Sequence, residues 1–178
     1  MKKCIRYAWA ALLLLFLFSC TKPDEYRFAG SYTYKTGGSL LLESAADPDS
    51  RITLPVHPAY GRLDITPTGL DGRVLLTFNN LGGSVEVFYG TVNGKTLTLE
   101  TKTYTVSDGL AAKTFEIGSF QLDYPGTSVS ATLKAGGTGT LYEGSALLFN
   151  FDCTGPVTAD GKEYAAKGQN LVCSATKN

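Results

Sequence analysis

The residues best placed for chemistry in this chain are four cysteines, one histidine and a scatter of carboxylates, and their spacing points to lipid attachment before catalysis. Cys20 closes the stretch Leu17-Phe18-Ser19-Cys20, directly after the apolar run Ala8–Phe18 and a basic start containing Lys2, Lys3 and Arg6. That order reads as a lipoprotein signal over residues 1–19: cleavage before Cys20, a diacylglycerol on its thiol, then acylation of the new amino terminus. Phe18 is bulkier than the residue usual at its place in such a signal. The alternative is an uncleaved signal anchor, but the apolar run of 11 residues falls short of the ~20 that cross a bilayer. Three acyl chains exceed the two signals needed for stable attachment, so the mature protein is expected to be anchored to a membrane and not to span it.

Cys4 leaves with the signal, so Cys153 and Cys173 are the thiols left in an oxidising compartment. They are expected to pair across the last two strands, closing a loop worth ~3 kcal/mol in the chain-entropy model; the alternative is two separate buried thiols. Two cysteines without nearby histidines make half a zinc site at best. His57, the single histidine, lies between Pro55 and Pro58, and no Gly-x-Ser-x-Gly elbow accompanies it. Glu86, Glu100, Glu116, Asp123 and Glu143 fall on expected strands. Glycoside hydrolysis would need two of them about 5 to 9 Å apart, and no spacing brings a pair to one inward face, so they read as surface charge. Asp47 and Asp49, flanking Pro48, suit an Asx turn better than calcium. No metal, phosphate or dinucleotide motif is present, and the expectation is a protein without catalytic activity, metal or cofactor.

Of 178 residues, 16 are Lys or Arg and 16 Asp or Glu. Removing the signal leaves 159 residues with 13 basic against 16 acidic, a net charge of −3 and no basic cluster. Nucleic acid is therefore a poor partner, since phosphate binding rests on Lys and Arg. A chain of this size suits one domain, burying ~70% of its unfolded surface. Residues 20–27, with Lys22-Pro23-Asp24-Glu25, read as a flexible polar tether, and 28–178 as the domain.

The elements that must position these groups are nearly all strands. Period-two or continuous apolar patterning marks Phe28–Lys35, Leu40–Ser44, Arg62–Thr66, Arg73–Asn79, Ser84–Val92, Lys95–Lys102, Phe115–Asp123, Val129–Lys134, Thr138–Tyr142, Ala146–Cys153 and Gln169–Ala175. Together with 20 glycines this predicts an all-β fold, an antiparallel barrel or strongly curved sandwich of about eight to ten strands. Asn93-Gly94 predicts a two-residue type I′ hairpin in which Gly90 faces Leu97 and Phe88 faces Leu99 on the inner side. Val87 and Val85 then face Glu100 and Lys102 outside. Gly90 opposite Leu97 is expected to leave room for something approaching the backbone. Proline-bearing Ala45–Tyr60 reads as a lid or crossing loop, and Thr154–Lys167 as a wide turn.

Nine tyrosines and seven phenylalanines remain after the signal, which takes the single tryptophan, Trp9. Tyrosine suits strands by propensity, but its apolar face and polar tip also suit an amphipathic pocket. Phe28-Ala29-Gly30-Ser31-Tyr32 resembles the Gly-x-Trp opening of lipocalin-like barrels, with Tyr32 in place of the tryptophan. The run Val87–Leu99, Gly137-Thr138-Gly139-Thr140-Leu141 and the ending Cys173-Ser174-Ala175-Thr176-Lys177 are similar to lipocalin-like lipoproteins of Bacteroidota-type bacteria. The basic residue that packs over the tryptophan in lipocalins has Lys177 as its one candidate counterpart. Acidic residues just after Cys20 resemble the surface-export signal of the same lipoproteins. The resemblance implies a closed or nearly closed barrel on the outer membrane, at its periplasmic face or the cell surface, taking a small hydrophobic, amphipathic or glycan-like ligand. Tyr60 at the mouth and Phe88, Gly90, Leu97 and Leu99 on the inner face are the candidate ligand contacts. The competing reading is an accessory interaction protein of an envelope or nutrient-uptake complex, with a barrel filled by runs such as Val74-Leu75-Leu76 and Ala146-Leu147-Leu148-Phe149.

Overall fold

The computed structural model describes residues 23–47, 49–106, 114–117, 119–143 and 145–178, so the signal and Cys20 lie outside the described residues. Among the described residues one short helix, α1 (Glu25–Phe28), precedes eleven strands: β1 (Gly30–Ser44), β2 (Arg51–His57), β3 (Tyr60–Pro67), β4 (Arg73–Asn80), β5 (Val85–Asn93), β6 (Thr96–Val106), β7 (Thr114–Ile117), β8 (Phe120–Asp123), β9 (Val129–Tyr142), β10 (Ala146–Ala159) and β11 (Lys162–Lys177). Pairing runs β11-β10-β9-β6-β5-β4-β3-β1, and β11 pairs back onto β1, which closes an antiparallel barrel of eight strands. The expected all-β barrel is present. Pairing of β11 with β1 covers the two strands that would be the edges of an open eight-stranded sheet.

Strand β1 branches. Its first half, Gly30–Lys35, pairs with β3, and its second half, Ser39–Glu43, pairs with β2, which hands on to β8 and β7. At the fork the buried Thr36 holds the β2–β3 connection: its N–H donates to the Ala59 carbonyl and its hydroxyl accepts from the Ala59 N–H, both at 2.9 Å. The expected loop Ala45–Tyr60 therefore contains a strand. Pro55 is accommodated where β2 leaves β1, at the pair Ser39↔Pro55, and takes up β8 from Val56↔Leu122, a place where the missing N–H costs least. The expected wide turn at Thr154–Lys167 is likewise two continuous strands joined by Asp160-Gly161, at φ 48° and 75°.

The β5–β6 hairpin turns at Gly94-Lys95, with Asn93↔Thr96, Val92↔Leu97 and Gly90↔Leu99 opposite each other. The register is two residues from the expected one. Gly94 at φ 60° is the first central residue, as in a type II′ turn, which asks positive φ of that position alone. A shift of two keeps every side chain on its face, so Phe88, Leu97 and Leu99 are still buried.

The tether is shorter than expected. Asp24 accepts the Gly94 N–H at 2.9 Å and Phe28 is fully buried, so residues 24–28 close one end of the barrel instead of swinging free. Tyr32, buried at the same end, donates its hydroxyl to the Phe28 carbonyl at 2.7 Å. Lys177 lies over its ring at 5.7 Å, and the Lys177 chain fills the space a side chain at Gly30 would need. Such a cation–π contact is worth about 0.5–1 kcal/mol when exposed and more when desolvated.

The core is layered, and its middle layer is aromatic. Phe78 meets Tyr34 at 5.4 Å, Phe88 at 5.9 Å, Phe149 at 6.2 Å and Phe151 at 6.5 Å, all edge to face. The β7–β8 hairpin sends Phe120 in from the far end to meet Phe151 at 4.9 Å. Each such pair adds about 0.5–1.5 kcal/mol beyond area burial.

Cys153 and Cys173 are both buried and both free, which corrects the expected disulfide. Cys173 stands opposite Phe149 and Cys153 opposite Gly168, so the two are four residues out of register on neighbouring strands. At ~3.3 Å per residue that offset is far beyond the Cα separation a disulfide spans. Burial pushes the Cys153 thiol up to about 12 and raises the Cys173 thiol as well.

Asp160 ties the far end together. Its carboxylate accepts from the Tyr124 hydroxyl at 2.7 Å, the Thr127 hydroxyl at 2.7 Å and the Thr127 and Ser128 N–H groups at 2.9 Å each. Hydrogen bonds from Thr127 and Tyr124 hold its carboxyl down to about 2. A depressed folded-state value means stability present above the ordinary 3.8 and lost as pH falls through about 2. Asp160→Asn is therefore expected to flatten the acid limb of the stability curve between about pH 4 and 2 and to speed exchange of the Thr127 and Ser128 amides. Parent-like exchange and an unchanged acid limb would show that the carboxylate carries no such role.

Candidate functional site

Strands β5 and β6 part company after Gly90↔Leu99. β6 continues along β9, and between Leu99↔Gly137 and Lys102↔Ala135 it carries one extra residue, a bulge over Glu100-Thr101. A bulge reverses the alternation of side chains. Lys102, expected outside, is thereby turned to the face that carries Leu97 and Leu99, beside the widening seam between the two strands.

Glu86, expected at the surface, lies on the same face of β5 as Phe88 and is largely buried, with its side chain 19% exposed. Lys102 Nζ pairs with Glu86 Oε1, donates to the Val87 carbonyl at 3.1 Å, and sits 5.2 Å from the Phe88 ring centroid and 5.6 Å from that of Tyr104. The Tyr104 hydroxyl donates to the same Glu86 oxygen at 3.0 Å. Burial, then the Glu86 charge, raises the Tyr104 phenol well above its ordinary range, so it stays a donor. Two opposite charges, a phenol and two ring faces thus meet above the aromatic layer, since Phe88 also contacts Phe78 and Phe151, each at 5.9 Å. Half-buried charge is costly unless paired, and this seam is where the barrel bears that cost.

The expected ligand contacts fare differently. Phe88 belongs to this site. Leu97 and Leu99 are buried in the packed core. Gly90 leaves no room: a Cβ there would lie 2.6 Å from Leu97 Cδ1 and 3.3 Å from Leu76 Cδ1. Tyr60 is 47% exposed on the outer surface, with Lys35 over its ring at 5.5 Å, because β3 starts with that residue facing outward. His57 is exposed on β2 opposite Gln121. Glu100 pairs with Arg73 and Glu143 is exposed in the β9–β10 turn. The side chains of Glu116 and Asp123 lie outside the described residues. Glu86, Lys102 and Tyr104 escaped sequence reasoning as a group because a bulge leaves no reliable mark in an alternating pattern.

A concavity of about 400 Å³ runs over the outer face of β6, β9 and β10, lined by Thr98, Thr101, Lys134, Thr138, Asp152 and Thr154 above Gly136-Gly137. It is an open furrow beside the same bulge, and its polar side chains are exposed to solvent.

No family model and no curated protein matches the chain. Among solved structures it is similar to EF1p2_mFAP2b bound to DFHBI, at 12% identity and a TM-score of 0.38, over 88% of this chain and 98% of that one. The barrel stands on the strand pairings themselves.

Proposed function

We propose that the protein is a lipid-anchored barrel of the outer membrane, resembling lipocalin-like lipoproteins, that binds a small amphipathic molecule at the β5–β6 seam. The observation that carries the reading is the surroundings of Lys102 Nζ. The Glu86 carboxylate, the Val87 carbonyl and the faces of Phe88 and Tyr104 form a set of groups that all favour a cation. Lys102 is its resident occupant, with a side chain 40% exposed and free to swing out on a flexible stem. An amphiphile with an ammonium head displaces that amine, and the first part of its apolar chain takes the place of the Lys102 stem over the Phe88 ring.

Isothermal titration with octyltrimethylammonium tests this. Removing the competing amine by Lys102→Met is expected to tighten binding about tenfold or more, equivalent to ~1.4 kcal/mol, and Glu86→Gln to weaken it by a similar factor. Equal affinities for the parent and both variants would sink the proposed site. Palmitate-analogue labelling of the parent but not of Cys20→Ala checks the anchor separately.

One observation favours the accessory-protein reading. Leu81, Val85, Val87 and Tyr89 are exposed together along β5 and its turn from β4, an apolar strip of the kind that meets a partner. Lys102 crossing to the Val87 carbonyl blocks that strand edge, as inward charges do on guarded edges.

A further inference from the structure

We infer that the barrel docks against its own bilayer with the end closed by α1, burying Tyr26, Leu70 and Tyr142 among the lipid headgroups. The inference rests on acylation of Cys20 and adds an orientation to it. Cys20 precedes Pro23 by three residues, a reach of at most ~11 Å. The chain is pinned from Asp24 onward by the hydrogen bond to Gly94, by the burial of Phe28 and by the start of β1 at Gly30. A lipid on Cys20 therefore holds this end at the membrane.

The surface presented there suits that position. The β3–β4 turn carries Leu70, 59% exposed; the end of β9 carries Tyr142, 51% exposed; and α1 carries Tyr26, 52% exposed. Tyrosine and leucine at a rim match the headgroup boundary, where an apolar body and a polar tip are both satisfied. Charges at the same end are mixed: Arg27, Lys95 and Lys177 stand against Asp24, Asp71 and Glu143. A rim without net charge suits zwitterionic phospholipid and gives no preference for anionic lipid. Docking this way leaves the Glu86–Lys102–Tyr104 seam at mid-height on the barrel wall, clear of the docked rim, since Lys102 stands opposite Ala135, halfway along β9. Seven residues of β9 separate Ala135 from Tyr142, which in a strand tilted as in barrels puts the seam roughly 18 Å above the docked rim, so the ligand arrives from the aqueous side.

The mature chain lacks tryptophan, which allows single-tryptophan reporters. Leu70→Trp, Tyr142→Trp and, as the far-end control, Leu81→Trp would be expressed as the full acylated protein and reconstituted into vesicles of phosphatidylethanolamine and phosphatidylcholine brominated high in the acyl chain. Flotation with the vesicles reports the anchor. Tryptophan at 70 and 142 is expected to be quenched about threefold more than at 81, as befits side chains ~5–10 Å into the interface. Flotation with equal quenching at all three positions overturns the docking alone. Failure to float overturns the anchor and the docking together.

Discussion

Phe78→Ala is expected to lower the unfolding free energy by about 3–5 kcal/mol, the largest single-residue loss in the barrel wall. Phe78 is 1% exposed and meets Tyr34, Phe88, Phe149 and Phe151 at once. Its removal forfeits its own transfer energy and leaves a cavity bounded by rings from β1, β5 and β10, which belong to a closed wall and collapse only partly. Denaturant unfolding monitored by far-ultraviolet dichroism measures the effect. A loss below about 1.5 kcal/mol would mean that the aromatic layer is loosely packed and that the interior holds space the side chains do not fill.

Gly90→Ala is the second. Its Cβ would approach Leu97 Cδ1 to 2.6 Å and the Thr98 carbonyl oxygen to 3.1 Å. Overpacking of this kind costs about 1–3 kcal/mol. In a Leu97→Ala background the same change is expected to be close to neutral, because the methyl then enters the space the leucine vacates. Coupling between the two substitutions, read from a double-mutant cycle, shows that Leu97 occupies the notch. A neutral Gly90→Ala in the parent would instead restore the expectation that the notch stands open to a ligand.

These two positions show how far a pattern of residue types reaches. Alternation told which face of β5 and β6 is inward, and a register error of two residues left that face untouched. It could not tell whether a glycine on that face makes room or receives a neighbour, since that depends on which residue stands across the next strand and how its chain is turned. Tyr32 and Lys177 were legible as a pair only through resemblance, and they meet because β11 closes onto β1. Cys153 and Cys173 were legible as neighbours on the last two strands but not as mismatched, because the bulge between Phe151 and Cys153 and the tight Asp160-Gly161 turn set their offset. Tyr60 was placed at a mouth by a loop that folds as a strand.

Local chemistry determined the class of fold from the chain alone: period-two patterning, turn dipeptides such as Asp160-Gly161, and enough apolar residues for one core. The expectation that Cys20 takes a lipid is likewise a reading of the chain alone, since the signal it rests on lies in consecutive residues. Tertiary structure alone decided the branching of β1, the free state of the two thiols and the inward turn of Lys102 toward Glu86, Phe88 and Tyr104. Each depends on pairing between strands distant in sequence, where one inserted residue reverses the faces beyond it, and the energy that selects such a register belongs to the assembled wall and not to any one strand.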